Sequence, residues 1–297
     1  MRSRYAGRGK HLVEKIAGLV LGQRPVIGIL TLSAQQNHAM KNGSSDSAHE
    51  EACVRVAARF AQRWLRIYAS RKLRADPIFP AAFELFHASS QPLVDLGCGI
   101  GLLAFYLRER NFLAPVCGLD RDGRKIERAR AVAASAYHDL QFIEQDVSRP
   151  IAPSGNIVLF DLLHYLPPDE QANLLERLAA RVPPGGKLVI RECPRDRNTR
   201  FWLTRLAERF AQTTTWNLKG PLHFPTRESI CAAFDDEQFS GVVRPLWGRL
   251  PFNNHLFVFR RRAAAVVPAQ AGRSGNLLSL GRQASARDSV DESPGRS

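Results

Sequence analysis

The sequence predicts an α/β fold: a seven-stranded sheet, mostly parallel with one antiparallel edge strand, and helices on both faces. Three observations predict it. Between residues 51 and 262, short apolar runs alternate with amphipathic runs of helical period. The apolar runs are continuous, as strands of a parallel sheet covered on both faces require. The last two runs have no helix between them, so one of them should run antiparallel.

In chain order, Val54, Phe60, Trp64, Ile67 and Tyr68 recur at near-helical spacing, which predicts one amphipathic helix over 51–73. A short helix over 79–87 follows Pro77. Strands are then predicted at 92–96, 115–119, 140–144, 156–161 and 187–191, with helices at 102–110, 122–137 and 169–182 between them. Helices at 199–212 and 227–234 lead to two closing strands at 242–247 and 255–260. The domain is thus expected over 51–262. Residues 1–50 read as a flexible extension, of which 1–39 precede the second methionine, Met40, and could lie upstream of the true start. Residues 263–297, rich in Ala, Gly, Ser and Arg without periodicity, read as a disordered tail.

Of 297 residues, 44% are apolar and 24% charged, which excludes a wholly disordered chain. The formal net charge is +14, carried by 35 Arg and only 7 Lys. Five of those charges lie in the flanks; the other nine are mostly single Arg residues scattered over the domain. Such scatter reads as a solvated basic surface or a match to an acidic partner, and less as a nucleic-acid footprint. The five cysteines form no CxxC pair, which argues against a disulfide framework or structural zinc and for a reducing, cytoplasmic setting. Residues 12–34 are the nearest approach to a spanning helix, but Glu14, Lys15, Arg24 and Pro25 break them.

The chemistry is concentrated in Leu93-Val94-Asp95-Leu96-Gly97-Cys98-Gly99-Ile100-Gly101-Leu102, where a buried strand turns into a helix. Glycines at 97, 99 and 101 allow a sharp turn and close approach of a ligand. A dinucleotide loop would have a small residue where Leu102 stands, and Asp95 would repel a pyrophosphate. Asp-x-Gly-x-Gly-x-Gly resembles motif I of class I S-adenosylmethionine methyltransferases, which have a Rossmann-like sheet; the resemblance spans roughly 55–260. It implies that Asp95, Gly97, Cys98, Gly99 and Gly101 cradle the methionine part of S-adenosylmethionine. It also implies that Asp120 holds the ribose hydroxyls beside Arg121, that Asp146 and Val147 contact the adenine, and that Asp161 lines the methyl-donor end. Pro184-Gly185-Gly186 matches the family's turn into its fifth strand. Cys98 is read as a small packing residue rather than a reactive thiol, since no base is visible beside it.

The donor methyl is already activated, so the protein must chiefly align an acceptor and exclude water. A general base would come from the carboxyl ends of the strands: His164 first, then Glu192 and His223, with structural roles for each as the alternatives. Tyr165, Trp202, Trp216 and Asn253 are the expected substrate contacts, with Phe201 and Phe210 expected on a buried helix face. The fourth strand ends in Asp161-Leu162-Leu163-His164, not the Asp/Asn-Pro-Pro-aromatic run that holds a flipped base, so nucleic acid is disfavoured. No carboxylate cluster for a metal is visible. A small-molecule acceptor is the leading expectation, with an RNA methyltransferase or a non-catalytic binding protein as rivals. The runs from Tyr68 to Pro80 and from Trp247 to His255 resemble uncharacterised bacterial methyltransferases of aryl-polyene and pigment-type pathways. That likeness implies an aromatic or acyl acceptor, on an acidic carrier protein in one version.

Overall fold

The computed structural model describes residues 39–151, 154–213, 220–248 and 251–263. Helix α1 spans Ala39–Ala58, α2 Arg63–Ala75 and α3 Ile78–Phe86. Strand β1 (Leu93–Leu96), α4 (Leu102–Glu109), β2 (Val116–Asp120), α5 (Gly123–Ala136) and β3 (Leu140–Glu144) follow. After them come β4 (Asn156–Phe160), a 3-10 turn at Leu163–Tyr165, α6 (Pro168–Arg181) and β5 (Lys187–Glu192). Helices α7 (Thr199–Thr213) and α8 (Arg227–Cys231) precede β6 (Phe239–Pro245) and β7 (His255–Arg261).

The seven strands form one sheet in the order β3-β2-β1-β4-β5-β7-β6. β1 pairs in parallel with β2 and β4, so the chain reverses its direction of sheet growth there. β7 is the single antiparallel strand, placed between β5 and the edge strand β6. The carboxyl ends of β1 to β5 therefore share one rim, and the start of β7 joins them, with His255 opposite Glu192.

β1 is buried throughout because it lies near the centre of the sheet. Leu93 faces the layer built by α1–α5, while Val94 and Leu96 face the layer holding α6 and α8. Phe105 of α4 is fully buried and stacks on Tyr137 at 5.0 Å between ring centroids. Burying a ring of that size contributes about 2–3 kcal/mol.

The expected helix over 51–73 is two helices. Phe60 is buried edge-on against Phe105, and the bonds Arg59 N–H to Val56 O and Phe60 N–H to Ala57 O close α1 in a tight turn. Gln62 is then extended and starts α2. The buried face also differs from the expected one. Cys53, Val56, Leu65, Ala69 and Leu73 are inside, whereas Val54, Trp64 and Ile67 are exposed. Small residues let these helices approach closely, and the larger apolar residues give a misleading stripe. The boundary at residue 51 falls inside α1: His49 lies edge-on to Tyr106, with Nδ1 2.8 Å from its hydroxyl. The expectations for residues 1–38 and for the tail beyond 263 lie outside the described residues, as does the one on Trp216. Among the described residues, no helix is long and apolar enough to cross a membrane.

Candidate active site

The glycine turn after β1 is built as its composition demands. Gly97, Gly99 and Gly101 all lie in the left-handed region, at φ 75°, 58° and 81°. The N–H groups of Gly97 and Cys98 both donate to the Leu119 carbonyl, at 2.8 and 3.0 Å, which ties the turn to β2. A Cβ at Gly101 would lie 2.8 Å from the Phe142 ring, so that glycine permits packing of the turn on the core. A Cβ at Gly99 would meet nothing within 4 Å: its backbone faces open space.

Asp120 ends β2 beside this turn. Its carboxylate accepts the Gly99 N–H at 2.8 Å and the Asp122 N–H at 2.9 Å. One backbone bond to each oxygen fixes the plane of the group and leaves lone pairs for a ligand. Asp95, buried in β1, has no hydrogen-bond partner among the described residues; burial, then the neighbouring Asp120 charge, pushes its pKa up to about 7. A buried carboxylate without a donor is costly, and a ligand ammonium would relieve it. The Cys98 thiol is pushed well above the ordinary range by burial, in keeping with a packing role.

Asp146, after β3, accepts the Ser148 N–H at 2.9 Å and lies 3.8 Å from Arg121. That local N–H bond, ahead of Arg121, holds its carboxyl below the usual range. Arg177 of α6 donates to the carbonyls of Val147, Ser148 and Arg149, at 2.9, 3.1 and 3.3 Å, and so fixes the loop. Arg177, Val147 and Leu166 also line a shallow cleft of about 400 Å³.

At the ends of β4 and β5 the structure corrects several expectations. Asp161, expected at the methyl-donor end, has a left-handed backbone (φ 53°), and its carboxylate is gripped by Arg191 Nε and Nη2. Arg191 does not pair with its neighbour Glu192. Its other face meets Asp76 at 2.6 Å, and Asp76 in turn holds Lys72 at 2.7 Å. A non-glycine residue at positive φ costs roughly 1–3 kcal/mol, and the two-pronged Arg191 contact is what holds it there.

Glu192 instead serves His164. It accepts from His164 Nδ1 at 2.8 Å and from the Cys193 N–H at 2.8 Å. His164 Nε2 points to Glu208 at 3.8 Å without a hydrogen bond, and Tyr165 donates to Glu208 at 2.8 Å. Burial opposes a charge on His164, but Glu192 and then Glu208 outweigh it and raise its pKa to about 10. A ring flanked by two carboxylates already holds its proton at neutral pH, so His164 is poorly placed as a free base. Since the folded value is raised above 6.5, its contribution to stability is complete below that pH and is lost as pH rises through about 10. Histidine-selective NMR should find this ring still cationic at pH 8, and Glu192→Gln should bring its titration down by more than one pH unit. A ring neutral at pH 8 in the wild type would contradict this assignment.

Phe224 stacks on His164 at 5.2 Å, and Phe201 of α7 stands edge-on to Phe224 at 5.3 Å. His223 reaches the cluster through its backbone: its N–H donates to the His164 carbonyl, and its own carbonyl accepts from Gln171. The expected substrate contacts divide. Tyr165 lies in the cluster. Trp202 is 57% exposed on the outer side of α7, because it is one residue, and so about 100°, away from the buried Phe201. Asn253 is fully buried, accepting from Asn198 and donating to the Pro194 carbonyl and, through its N–H, to Thr204 of α7, so it ties the approach to β7 to α7 and the segment before it rather than facing a substrate. Sequence reasoning placed Phe224 among the aromatics expected over the pocket mouth but assigned no site role to Asp76 or Glu208. The Asp76-Pro77 pair opening α3 was the one available signal.

The methyltransferase-domain family matches residues 63–243, well over half of the chain. The chain belongs to that family. S-adenosylmethionine is the cofactor, and the open space at Gly99, the fixed Asp120 carboxylate and the unpartnered Asp95 are a cradle that fits it. Curated relatives include carboxy-S-adenosyl-L-methionine synthases. That of Chromohalobacter salexigens is 34% identical over 105 residues, covering 33% of this chain and 38% of the relative. That of Actinobacillus succinogenes is 30% identical over 147 residues, covering 47% and 54%. The chain thus spans about half or less of these relatives' length. Among solved structures, the pyocyanin biosynthetic protein PhzM matches at TM-score 0.52 and 18% identity, covering 70% of this chain and 61% of that one. An O-methyltransferase family protein from Burkholderia thailandensis matches at 0.50 and 18%, covering 86% and 84%. Both likenesses are of fold.

Proposed function

We propose that this methyltransferase transfers the methyl group of S-adenosylmethionine to a small-molecule acceptor, aromatic or acyl, free or carried on an acidic protein. One observation carries the reading: the left-handed turn from Gly97 to Gly101 holds its open backbone against the fixed Asp120 carboxylate. When bound, the cofactor supplies an activated methyl, so the chain's own work is placement. Asp95 would accept from the ammonium, Asp120 from the ribose hydroxyls, and Asp146 and Val147 would meet the adenine. Phe201, Phe224 and Tyr165 would form an apolar wall at the acceptor end, and His164, held cationic, would orient Tyr165 and Glu208. Glu208 is then a better-placed proton acceptor than His164, Glu192 or His223.

The curated relatives' name favours a second reading, in which the product is a carboxylated S-adenosylmethionine. That product would need a cation for its added carboxylate. Arg191, the buried cation nearest this end, has its donors committed to Asp76 and Asp161, which supports methyl transfer. Incubation with methyl-labelled S-adenosylmethionine, a panel of phenols and aryl acids, and a readily decarboxylating acid as the source of a carboxyl group, followed by mass spectrometry, separates the two. Label in an acceptor together with S-adenosylhomocysteine is expected; a donor gaining the mass of a carboxyl group would replace the first reading by the second.

A further inference from the structure

Helix α7 has two faces of opposite character. Inward, Phe201 and Thr204 are buried and Glu208 accepts from Tyr165. Outward, Trp202, Leu206 and Arg209 form one stripe at helical spacing, with Trp202 57% and Leu206 38% exposed. Arg205 flanks the stripe, its guanidinium 5.1 Å from the centre of the Trp202 ring. Among the described residues no carboxylate pairs with Arg205 or Arg209, and Glu208, the one acid of this helix, is turned inward.

The exposed Trp202 and Leu206 in line make an apolar strip that a partner can cover. Tryptophan and arginine are the residues that most often anchor protein interfaces. Here the stacked arginine also presets the ring, which lowers the entropy lost on binding. Single-stranded nucleic acid would need a basic groove with successive stacking rings, and this helix face presents one ring beside a leucine. A membrane would need a broad apolar face, and the other side of this helix is already buried in its own domain. The charge left uncompensated is positive, which selects an acidic protein partner.

We infer that the outer face of α7 docks an acidic protein whose contact surface presents carboxylates around an apolar strip, and that this partner brings the acceptor. The second half of the inference rests on the methyltransferase reading. The opposite face of the same helix borders the His164–Tyr165 cluster, so a docked partner stands about one helix diameter, ~10 Å, from the acceptor end. An acceptor on a short flexible arm could span that distance.

The test uses the full chain, with a holo-acyl carrier protein as the acidic probe and S-adenosylhomocysteine titrated in parallel by calorimetry. Carrier-protein binding should weaken with salt and fall by about tenfold or more in Trp202→Ala and in the double variant Arg205→Glu/Arg209→Glu. Both variants should keep the wild-type affinity for S-adenosylhomocysteine, which also shows that they fold. The inference is overturned if the wild type does not bind the carrier protein, or binds it equally well in both variants. Tighter binding to a single-stranded RNA or to phosphatidylglycerol vesicles, lost in the same variants, would overturn it too. Carrier-protein binding by a chain that does not take S-adenosylhomocysteine would uphold the docking surface and remove the methyltransferase reading instead.

Discussion

Replacing Asp120 by alanine should weaken S-adenosylhomocysteine binding by about a hundredfold or more. Each carboxylate oxygen already accepts one backbone N–H, so the group is fixed beside the glycine turn with lone pairs left for a ligand. Hydrogen bonds to a charged acceptor contribute about 1.5–3 kcal/mol each, and a ribose offers two hydroxyls. At 1.4 kcal/mol per tenfold, two such bonds account for the expected loss. Asp120→Asn, which keeps the shape and loses the charge, should fall between alanine and wild type. Titration calorimetry reads the affinity, and a parallel thermal melt reads the cost of leaving the Gly99 N–H without its acceptor. A wild-type affinity in Asp120→Ala would remove this residue from the cofactor site.

Arg191→Met should be the most damaging single change to stability. Arg191 is buried between Asp76 and Asp161, and its loss leaves Asp161 without its cation and Asp76 with Lys72 alone. Breaking a buried pair in this way typically costs about 3–5 kcal/mol. For a domain of this size that is a fall on the order of 10 °C in Tm. The pH dependence has a definite sign. Burial would raise the Asp76 pKa, but Arg191 and Lys72 outweigh it and hold the carboxyl well below its ordinary value of 3.8. A carboxylate lowered in this way stabilises the fold above that value and loses its contribution as pH falls beneath it. The gap between wild type and variant should therefore be full at neutral pH and narrow as the carboxylates protonate in acid. A gap independent of pH in denaturant melts would show that Arg191 acts by packing alone.

The fold was legible because its signals are local. Three glycines at alternate positions after a short apolar run can only make a turn, and acids just past successive strands all fall on one rim. The acceptor end was less legible because its signals are not local. Glu208 and Asp76 find their partners 43 and 115 residues away, and apart from the Asp76-Pro77 pair nothing in the local pattern marks them. Phe201 and Trp202 are both aromatic and adjacent, so periodicity does not say which of them turns inward. The single predicted helix over 51–73 failed for a related reason. Alanines and a cysteine form much of its true inner face, and their small side chains draw less notice than the large Trp64 and Ile67, which face water.

The Asp76–Arg191 contact also sets an order of events during synthesis. The short helices at the start of the domain cannot gain their buried counter-charge until a residue 115 positions later has been made. At roughly 5–20 residues per second, that interval is on the order of ten seconds. For that time Asp76 has Lys72 alone as its counter-charge, and the helices beside it can fold only as far as their apolar contacts allow. The start of the domain therefore reaches its final charge pairing only after β5 has been made.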